Sequence, residues 1–169
     1  AVYKIKYFDM PDIGVDIGEI MGKMMKEARF TDDIDVILPV PLAKERKRQR
    51  GFNQSEMIAQ GISYATGIRV VTGAVSRVSF HGSQTKRDRQ GRTENVENAF
   101  RLKNGKLVTG KHVLIVDDIV TTGATIVAMA KQITQLPGVR VSVAAIGFAG
   151  ERIYANSDDK DEEDNIFSQ

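Results

Sequence analysis

The sequence contains no cysteine and no tryptophan, and its two histidines are His81 and His112. Without cysteine the chain forms neither disulfides nor thiolate metal sites, and two histidines disfavour a transition metal held by the protein alone. No stretch approaches the roughly 20 apolar residues of a membrane span, and no signal peptide is visible. We therefore expect a cytoplasmic protein without a membrane segment, in which any metal would be Mg²⁺ held mainly by substrate oxygens.

Acidic residues are concentrated near the C-terminus. Residues 158–164 contain six of them with Lys160, a local net charge of −5, and since the whole chain carries +2 the remainder carries +7. We expect a single domain at residues 1–150, followed at 151–169 by an acidic tail too poor in apolar residues to fold. A basic domain indicates phosphorylated ligands or nucleic acid, although solvated surface charge is the commoner explanation.

Helical and extended patterns alternate along the chain, which predicts an α/β fold with a parallel sheet. Asn53 and Glu56 have the spacing of a capping pair, and the methionines of the first helix are expected in the core. A polar stretch at 76–98 precedes the central strand. We expect helices at 11–29, at about 54–65 and at about 124–135, and strands at 36–40, 68–71, 112–116 and 139–147.

The most informative segment is Val-Leu-Ile-Val-Asp-Asp-Ile-Val-Thr-Thr-Gly-Ala-Thr at residues 113–125. Its apolar strand is predicted to end in Asp117 and Asp118, at the carboxyl edge where open α/β sheets bind ligands. Adjacent carboxylates there accept hydrogen bonds from vicinal hydroxyls, directly or through a divalent cation. The hydroxyls of three threonines and the N–H groups of a helix start suit a phosphate, with a glycine allowing close approach. The pattern predicts a ribose 5-phosphate site formed by Asp117, Asp118, Thr121, Thr122, Gly123, Ala124 and Thr125.

A structural alternative exists, in which the carboxylates only cap the following turn and the glycine only permits tight packing. It explains each residue singly but not all of them in this order. The segment resembles the phosphoribosyl pyrophosphate (PRPP) motif of type I phosphoribosyltransferases, in which the acidic pair faces the ribose hydroxyls and the loop holds the 5-phosphate.

Two further segments extend this resemblance. Residues 38–55 read Leu-Pro-Val-Pro-Leu-Ala-Lys-Glu-Arg-Lys-Arg-Gln-Arg-Gly-Phe-Asn-Gln-Ser, and Ser-Gln-Thr at 83–85 is followed by Arg-Thr-Glu-Asn-Val-Glu-Asn-Ala-Phe at 92–100. With them the chain resembles, over roughly residues 3–149, the ComF/GntX family of competence-associated proteins with a phosphoribosyltransferase domain. The resemblance implies a Rossmann-like parallel sheet with helices on both faces and a small hood.

The resemblance also implies roles for two basic segments. In type I phosphoribosyltransferases the loop after the first strand binds pyrophosphate, which assigns Val40, Pro41, Leu42 and Arg50 to the pyrophosphate side. A mobile loop of related enzymes, which closes over the substrate and excludes water, corresponds to the segment that carries Lys86, Arg87, Arg89 and Arg92. Either segment is equally compatible with an exposed, solvated loop or with one that follows a nucleic-acid backbone.

The sequence departs from family patterns at two points. ComF-type proteins commonly carry an N-terminal, cysteine-rich zinc module, whereas this chain starts at Ala1 and has no cysteine, so either the module was removed or this branch lacks it. In 6-oxopurine phosphoribosyltransferases an aspartate, their proposed general base, stands where this sequence has Thr121. A hydroxyl does not take up that proton efficiently at neutral pH, which disfavours purine salvage of that type and leaves the catalytic residues unidentified.

Two functions of different classes remain open. The first is Mg²⁺-assisted transfer of a 5-phosphoribosyl group from PRPP to an unidentified acceptor. The second is a non-catalytic protein of the natural transformation machinery that senses PRPP or holds single-stranded DNA on its basic loops. Aromatic residues make up 7% of the chain, so Phe52, Phe80 and Phe100 are more typical of core positions than of base stacking. A homodimer or a competence-protein partner is compatible with both functions.

Overall fold

The computed structural model describes residues 11–43, 48, 51–78 and 99–149. The described residues do not include Arg50, the segment with Lys86, Arg87, Arg89 and Arg92, or the acidic tail. They also do not include residues 1–10 and 150–169, the N-terminal and final residues from which the small hood is expected. Within the described ranges the helices are α1 (Pro11–Glu27), α2 (Gln54–Thr66) and α3 (Ala124–Ile133). The strands there are β1 (Val36–Pro39), β2 (Arg69–Val70), β3 (Val75–Arg77), β4 (Phe100–Leu102), β5 (His112–Val120) and β6 (Arg140–Phe148).

The main sheet is parallel throughout its described part, with four strands in the order β2-β1-β5-β6. Strand β1 lies inside this order, where Val36 pairs with Val113 of β5 on one side and with Arg69 of β2 on the other. The remaining two described strands, β3 and β4, form an antiparallel pair. The predicted α/β fold with a parallel sheet is confirmed, and the carboxyl ends of its strands therefore meet at one edge.

The core lies on both faces of this sheet, because successive apolar side chains of β1 and β5 point to opposite faces. On one face, Val36 and Leu38 pack in a cluster with Ile126, Met129 and Ile133 of α3. On the other face, Ile37 and Leu114 pack in a second cluster with residues of α2, namely Ile58, Ala59 and Ile62. Helices on both faces, as predicted, follow from this division.

Helix α1 packs on α2 through glycine rather than through large side chains. Its buried residues are Gly14, Gly18 and Gly22, and a Cβ at Gly18 would collide with the backbone carbonyl of Ile58. The expectation that the methionines of this helix lie in the core holds for Met21 and Met25, which pack against the second cluster. It is wrong for Met24, which is 63% exposed, because the glycine contact turns part of the apolar stripe outward.

Three local predictions need correction. Strand β5 does not end at residue 116 but continues to Val120, because β6 pairs with it as far as Phe148, so the acidic pair lies within the strand. Asn53 occupies the N-cap position of α2 without capping it, since its amide bonds elsewhere. The β3–β4 pair was missed because two strands of three residues carry little periodicity. None of the described helices is long and apolar enough to cross a membrane.

Candidate functional site

A cavity of about 270 Å³ opens at the carboxyl edge of the sheet, between the ends of β1 and β5 and the start of α2. A smaller cavity of about 30 Å³ lies against the turn between β5 and α3. The larger cavity is lined by Val40, Pro41, Leu42, Asn53, Gln54, Ser55, Arg77, Asp117, Asp118, Ile119 and Thr125. The smaller one is lined by Asp117, Ile119, Val120, Thr121, Gly123, Ala124, Thr125 and Ile126.

The fold brings together two predicted segments that are about 75 residues apart in the chain. Val40, Pro41 and Leu42 share the larger cavity with both members of the acidic pair and with Thr125. The other residues of the predicted phosphate loop line the smaller cavity, apart from Thr122, which lies beside it in the same turn and lines neither. The two cavities share Asp117, Ile119 and Thr125, so they form one continuous candidate site.

The loop after β1 is held at both ends. The backbone N–H of Val40 donates to the carbonyl of Val116 at 2.9 Å, which fixes the loop to β5. The side-chain amide of Asn53 donates to the carbonyl of Val40 at 3.0 Å, which fixes it to the start of α2. Pro41 and Leu42 follow as half-buried residues and continue the wall of the larger cavity.

The two carboxylates differ in environment. Asp117 is buried, and its Oδ1 accepts hydrogen bonds from the Ser55 hydroxyl at 3.0 Å and from the backbone N–H of Asp118 at 2.9 Å. Asp118 is half-buried, and its Oδ1 accepts from the N–H of Ile119 at 2.7 Å. Burial raises the pKa of Asp117 to about 6, and the neighbouring carboxylate of Asp118 acts in the same direction, against the two hydrogen bonds. A cation or a hydroxyl donor would favour the charged form of this pair.

The phosphate-loop candidate is an exposed turn that leads into α3. Gly123 stands at the N-cap position with φ of 77°, in the left-handed region that favours glycine. A Cβ at Gly123 would meet nothing within 4 Å, so the space above the turn is open. Thr121 and Thr122 are exposed and Thr125 is half-buried. Hydroxyls and the start of a ten-residue helix therefore border an open cup that suits an anion.

Arg77 belongs to the site although sequence analysis missed it. It lies on β3 opposite Phe100 of β4, and its guanidinium sits 5.4 Å from the centroid of the Phe100 ring. Phe100 is almost completely buried, as expected for a core aromatic, so the arginine rests on a fixed support. No spacing in the sequence distinguishes Arg77 from other arginines, because only the β3–β4 pairing brings it to the cavity.

Ser55 was missed as well. It directly follows Arg-Gly-Phe-Asn-Gln at residues 50–54, the segment on which the family resemblance depends, and that position was the one available signal. Of the basic stretch at 44–50 the structure describes Arg48 alone, which is exposed.

The site offers hard oxygen donors for a metal but no complete metal cage. Among the described residues, no group of three or more histidine, aspartate or glutamate side chains is placed to hold an ion. Mg²⁺ commonly binds through one or two carboxylates together with substrate phosphates and water. The pair Asp117 and Asp118 fits that arrangement, in which the substrate supplies most of the ligands.

Comparison with known proteins identifies the family of this chain. The sequence model of the phosphoribosyl transferase domain matches residues 6–165. The DNA utilization protein YhgH of Escherichia coli is 33% identical over 133 residues, which cover 77% of this chain and 58% of that protein. Competence protein F of Haemophilus influenzae is 27% identical over 139 residues, covering 80% and 61%. The chain thus spans about three fifths of the length of these relatives.

Among solved structures, an adenine phosphoribosyltransferase from Saccharomyces cerevisiae aligns with a TM-score of 0.54 at 16% identity. The alignment covers 85% of this chain and 73% of that one. At this identity the similarity concerns the fold.

Proposed function

Because the chain belongs to the phosphoribosyl transferase domain family, among its ComF-like competence and DNA-utilization members, we propose that the carboxyl-edge cavity binds PRPP and transfers its 5-phosphoribosyl group to an acceptor. One observation carries this proposal: the fold gathers an acidic pair, a threonine-glycine turn and the loop after β1 around one continuous cavity. A ribose with phosphate groups at two ends requires these three kinds of partner.

Each part of the site then has a role. Asp117 and Asp118 accept hydrogen bonds from the ribose hydroxyls, directly or through Mg²⁺ held mainly by substrate oxygens. Residues 121–125 bind the 5-phosphate, and residues 40–42 with Arg50 border the pyrophosphate. Lys86, Arg87, Arg89 and Arg92 belong to a loop that closes over the substrate. Arg77 adds a cation to the wall of the same cavity.

The reaction breaks the bond between ribose C1 and a pyrophosphate oxygen, and the electron pair of that bond leaves with pyrophosphate. The acceptor's nucleophilic atom then forms the new bond to C1 from the opposite face. Negative charge grows on the departing group, so cations fixed in advance near it lower the barrier. Bound Mg²⁺ supplies further charge neutralisation. Arg77 is suited to this task because its guanidinium already rests on the Phe100 ring before substrate arrives.

A second function is single-stranded DNA binding, with or without PRPP sensing. It is favoured by the names of the relatives, which refer to DNA utilization and competence, and by the charge of the described segment at 99–149. That segment carries six lysines and arginines, whereas its two acidic residues are Asp117 and Asp118 of the site. Apart from the acidic pair, this segment carries no negative side chain that would repel a phosphate backbone.

Isothermal titration separates the two functions. PRPP is titrated with and without Mg²⁺, and single-stranded oligonucleotides are titrated over a range of salt. Tight, Mg²⁺-dependent PRPP binding that Asp117→Asn and Asp118→Asn each weaken, by about 1.5–3 kcal/mol for the loss of a charged hydrogen bond, supports the transferase. Unchanged PRPP affinity in both variants would make the acidic pair structural. A steep salt dependence for DNA without PRPP binding would instead establish the second function.

Two sets of loop variants refine this result. One replaces Arg46, Lys47, Arg48 and Arg50 with alanine, and the other replaces Lys86, Arg87 and Arg89. A matched control replaces Lys23 and Lys26 of α1. In a transferase both loop sets impair PRPP turnover, and the second lowers the rate more than ground-state binding. In a DNA-binding protein both sets reduce the salt slope by about one for each phosphate that the variant no longer neutralises. If neither property changes, the loops are solvated surface.

A further inference from the structure

We propose that Ser55 is a positioning residue for the sugar-binding carboxylate, and that it acts by holding Asp117 in one orientation. The inference rests on the proposed function, because it concerns how the same cavity recognises a ribose. It makes the selection of sugar phosphates depend on helix α2 as well as on the strand that carries the acidic pair.

The hydrogen bonds at Asp117 are the first step. Ser55 is 4% exposed, and its hydroxyl donates to Oδ1 of Asp117 across 62 positions of the chain. The backbone N–H of Asp118 donates to the same oxygen. Two donors that converge on Oδ1 restrict rotation of the carboxylate, and this sets where its second oxygen, Oδ2, lies. Since a ligand hydroxyl must meet that oxygen at hydrogen-bonding distance and angle, restricting the carboxylate favours binding.

The attachment of α2 is the second step. Asn53, two residues before Ser55, donates its amide to the carbonyl of Val40 instead of capping the helix. Val40 in turn bonds through its N–H to Val116, the residue before Asp117. These links close a ring that runs through β1, β5 and the start of α2. Ser55 therefore holds Asp117 from a helix whose own place is fixed on the same two strands.

The burial of Ser55 is the third step. A serine in the first turn of a helix usually bonds to the backbone nearby or faces water. Ser55 does neither, because its hydroxyl is directed to a carboxylate on another element. Helix formation does not require that bond, which instead ties the start of α2 to a carboxylate that lines the cavity.

The test uses the full chain and measures binding by isothermal titration with Mg²⁺ present. The probes are ribose 5-phosphate, 2-deoxyribose 5-phosphate and inorganic phosphate. We expect Ser55→Ala to weaken ribose 5-phosphate binding about tenfold and to leave the affinity for inorganic phosphate unchanged. The ratio of the affinities for ribose 5-phosphate and 2-deoxyribose 5-phosphate should therefore fall. Ser55→Thr, which keeps the hydroxyl, should recover part of the loss. The matched control is Ser63→Ala, on the same helix at a half-buried position.

A double-mutant cycle with Asp117→Ala, which removes both carboxylate oxygens, isolates the route through Asp117. If Ser55 acts through that carboxylate, Ser55→Ala should cost little further affinity once Asp117→Ala is present. An equal loss in both backgrounds would overturn the proposal, as would wild-type affinity in Ser55→Ala. If Ser55→Ala does not fold, Ser55→Cys takes its place, since a thiol is similar in size and a weaker donor.

Failure of the proposed function looks different from failure of this inference. If the wild-type protein binds ribose 5-phosphate no better than inorganic phosphate, the sugar site itself is refuted and the role of Ser55 with it. If the wild-type protein selects the ribose and Ser55→Ala selects it equally, the site stands and only the positioning role is refuted.

Discussion

Asp117 and Asp118 are adjacent, yet the fold gives them separate tasks. Asp117 is 8% exposed and bonded to Ser55, whereas Asp118 is half-buried beside the open cavity. Because a buried carboxylate loses hydration, Asp117 is the member whose pKa is raised. The protonation of Asp117 is therefore linked to the stability of the fold.

The first prediction concerns pH. The pKa of Asp117 is about 6 in the folded protein against 3.8 for an unperturbed aspartate, so between these values the folded state binds the proton more tightly than the unfolded state. The free energy of unfolding of the ligand-free protein should therefore fall as pH rises from about 4 to 6. Asp117→Asn should remove that component and add about 1–2 kcal/mol of stability at pH 7.

Urea denaturation at pH 5 and pH 7.5 measures this effect, with Asp16→Asn, a change to an exposed carboxylate on α1, as the control. If Asp117→Asn kept the wild-type dependence of the unfolding free energy on pH, that dependence would not come from the raised pKa of Asp117.

The second prediction concerns Gly123, whose φ of 77° matches the 78° of Gly67 at the end of α2. Neither position has an atom within 4 Å of an added Cβ, so a substitution at either costs backbone strain rather than a clash. Gly123→Val and Gly67→Val should each lose roughly 1–2 kcal/mol of stability. Only Gly123→Val should also abolish ribose 5-phosphate binding, because its side chain occupies the open cup.

Thermal unfolding and ribose 5-phosphate titration of both variants check this pair. Intact sugar-phosphate binding in a folded Gly123→Val protein would mean that the phosphate binds elsewhere.

At the scale of elements, α1 and α2 pack closely because their glycines have no Cβ atom. A Cβ at Gly61 would collide with the carbonyl of Val15, just as one at Gly18 would collide with that of Ile58. The two helix backbones are so close at these glycines that no side chain fits between them. Since α2 also carries Asn53 and Ser55, the close contact stabilises the helix that holds the site.

The third prediction follows from that contact. Gly18→Ala and Gly61→Ala should each destabilise the protein by about 2–3 kcal/mol, because the helices must separate to admit a methyl group. Gly147→Ala is the matched control, since a Cβ there meets nothing within 4 Å and should change stability by less than about 0.5 kcal/mol. Denaturant unfolding gives all three values. If Gly18→Ala and Gly147→Ala were equally stable, the contact between α1 and α2 would have space for a methyl group, and the prediction would be wrong.

At the scale of the whole molecule, charge is divided along the chain. The described segment 11–43 has seven acidic and three basic residues, while the segment 99–149 has two acidic and six basic ones. Both acidic residues of the second segment belong to the cavity. An anionic polymer would therefore contact the later part of the chain in preference to α1.

The fourth prediction tests that preference. Replacing Lys103 and Lys106, both exposed, with alanine should reduce the salt slope of oligonucleotide binding by about one for each phosphate that these lysines neutralise. The same replacement of Lys23 and Lys26 should leave the slope unchanged. The measurement is oligonucleotide affinity at several salt concentrations. Equal salt slopes for the two variants would show that the division of charge along the chain does not direct oligonucleotide binding.

Local patterns in the sequence were enough to predict the parallel α/β architecture and the contiguous part of the candidate site. Strand β5, the turn with Gly123 and helix α3 are neighbours in the chain. A continuous apolar run, a glycine before a helix start and helix periodicity predicted all three, although the strand was expected to end at residue 116 rather than at Val120. The apolar run at 113–116 likewise predicted a central strand buried on both faces. Such features depend on residues a few positions apart, which is the range over which sequence patterns are informative.

Contacts between side chains that are far apart in the chain could not be predicted from such patterns. Ser55 reaches Asp117 from 62 positions away, and the β3–β4 pairing brings Arg77 to the cavity. The amide of Asn53 bonds to Val40 although its spacing predicted a cap. A polar side chain near a helix start has several partners of similar strength. Packing of the whole chain selects among them, because a buried polar group must find its partner wherever the fold places one.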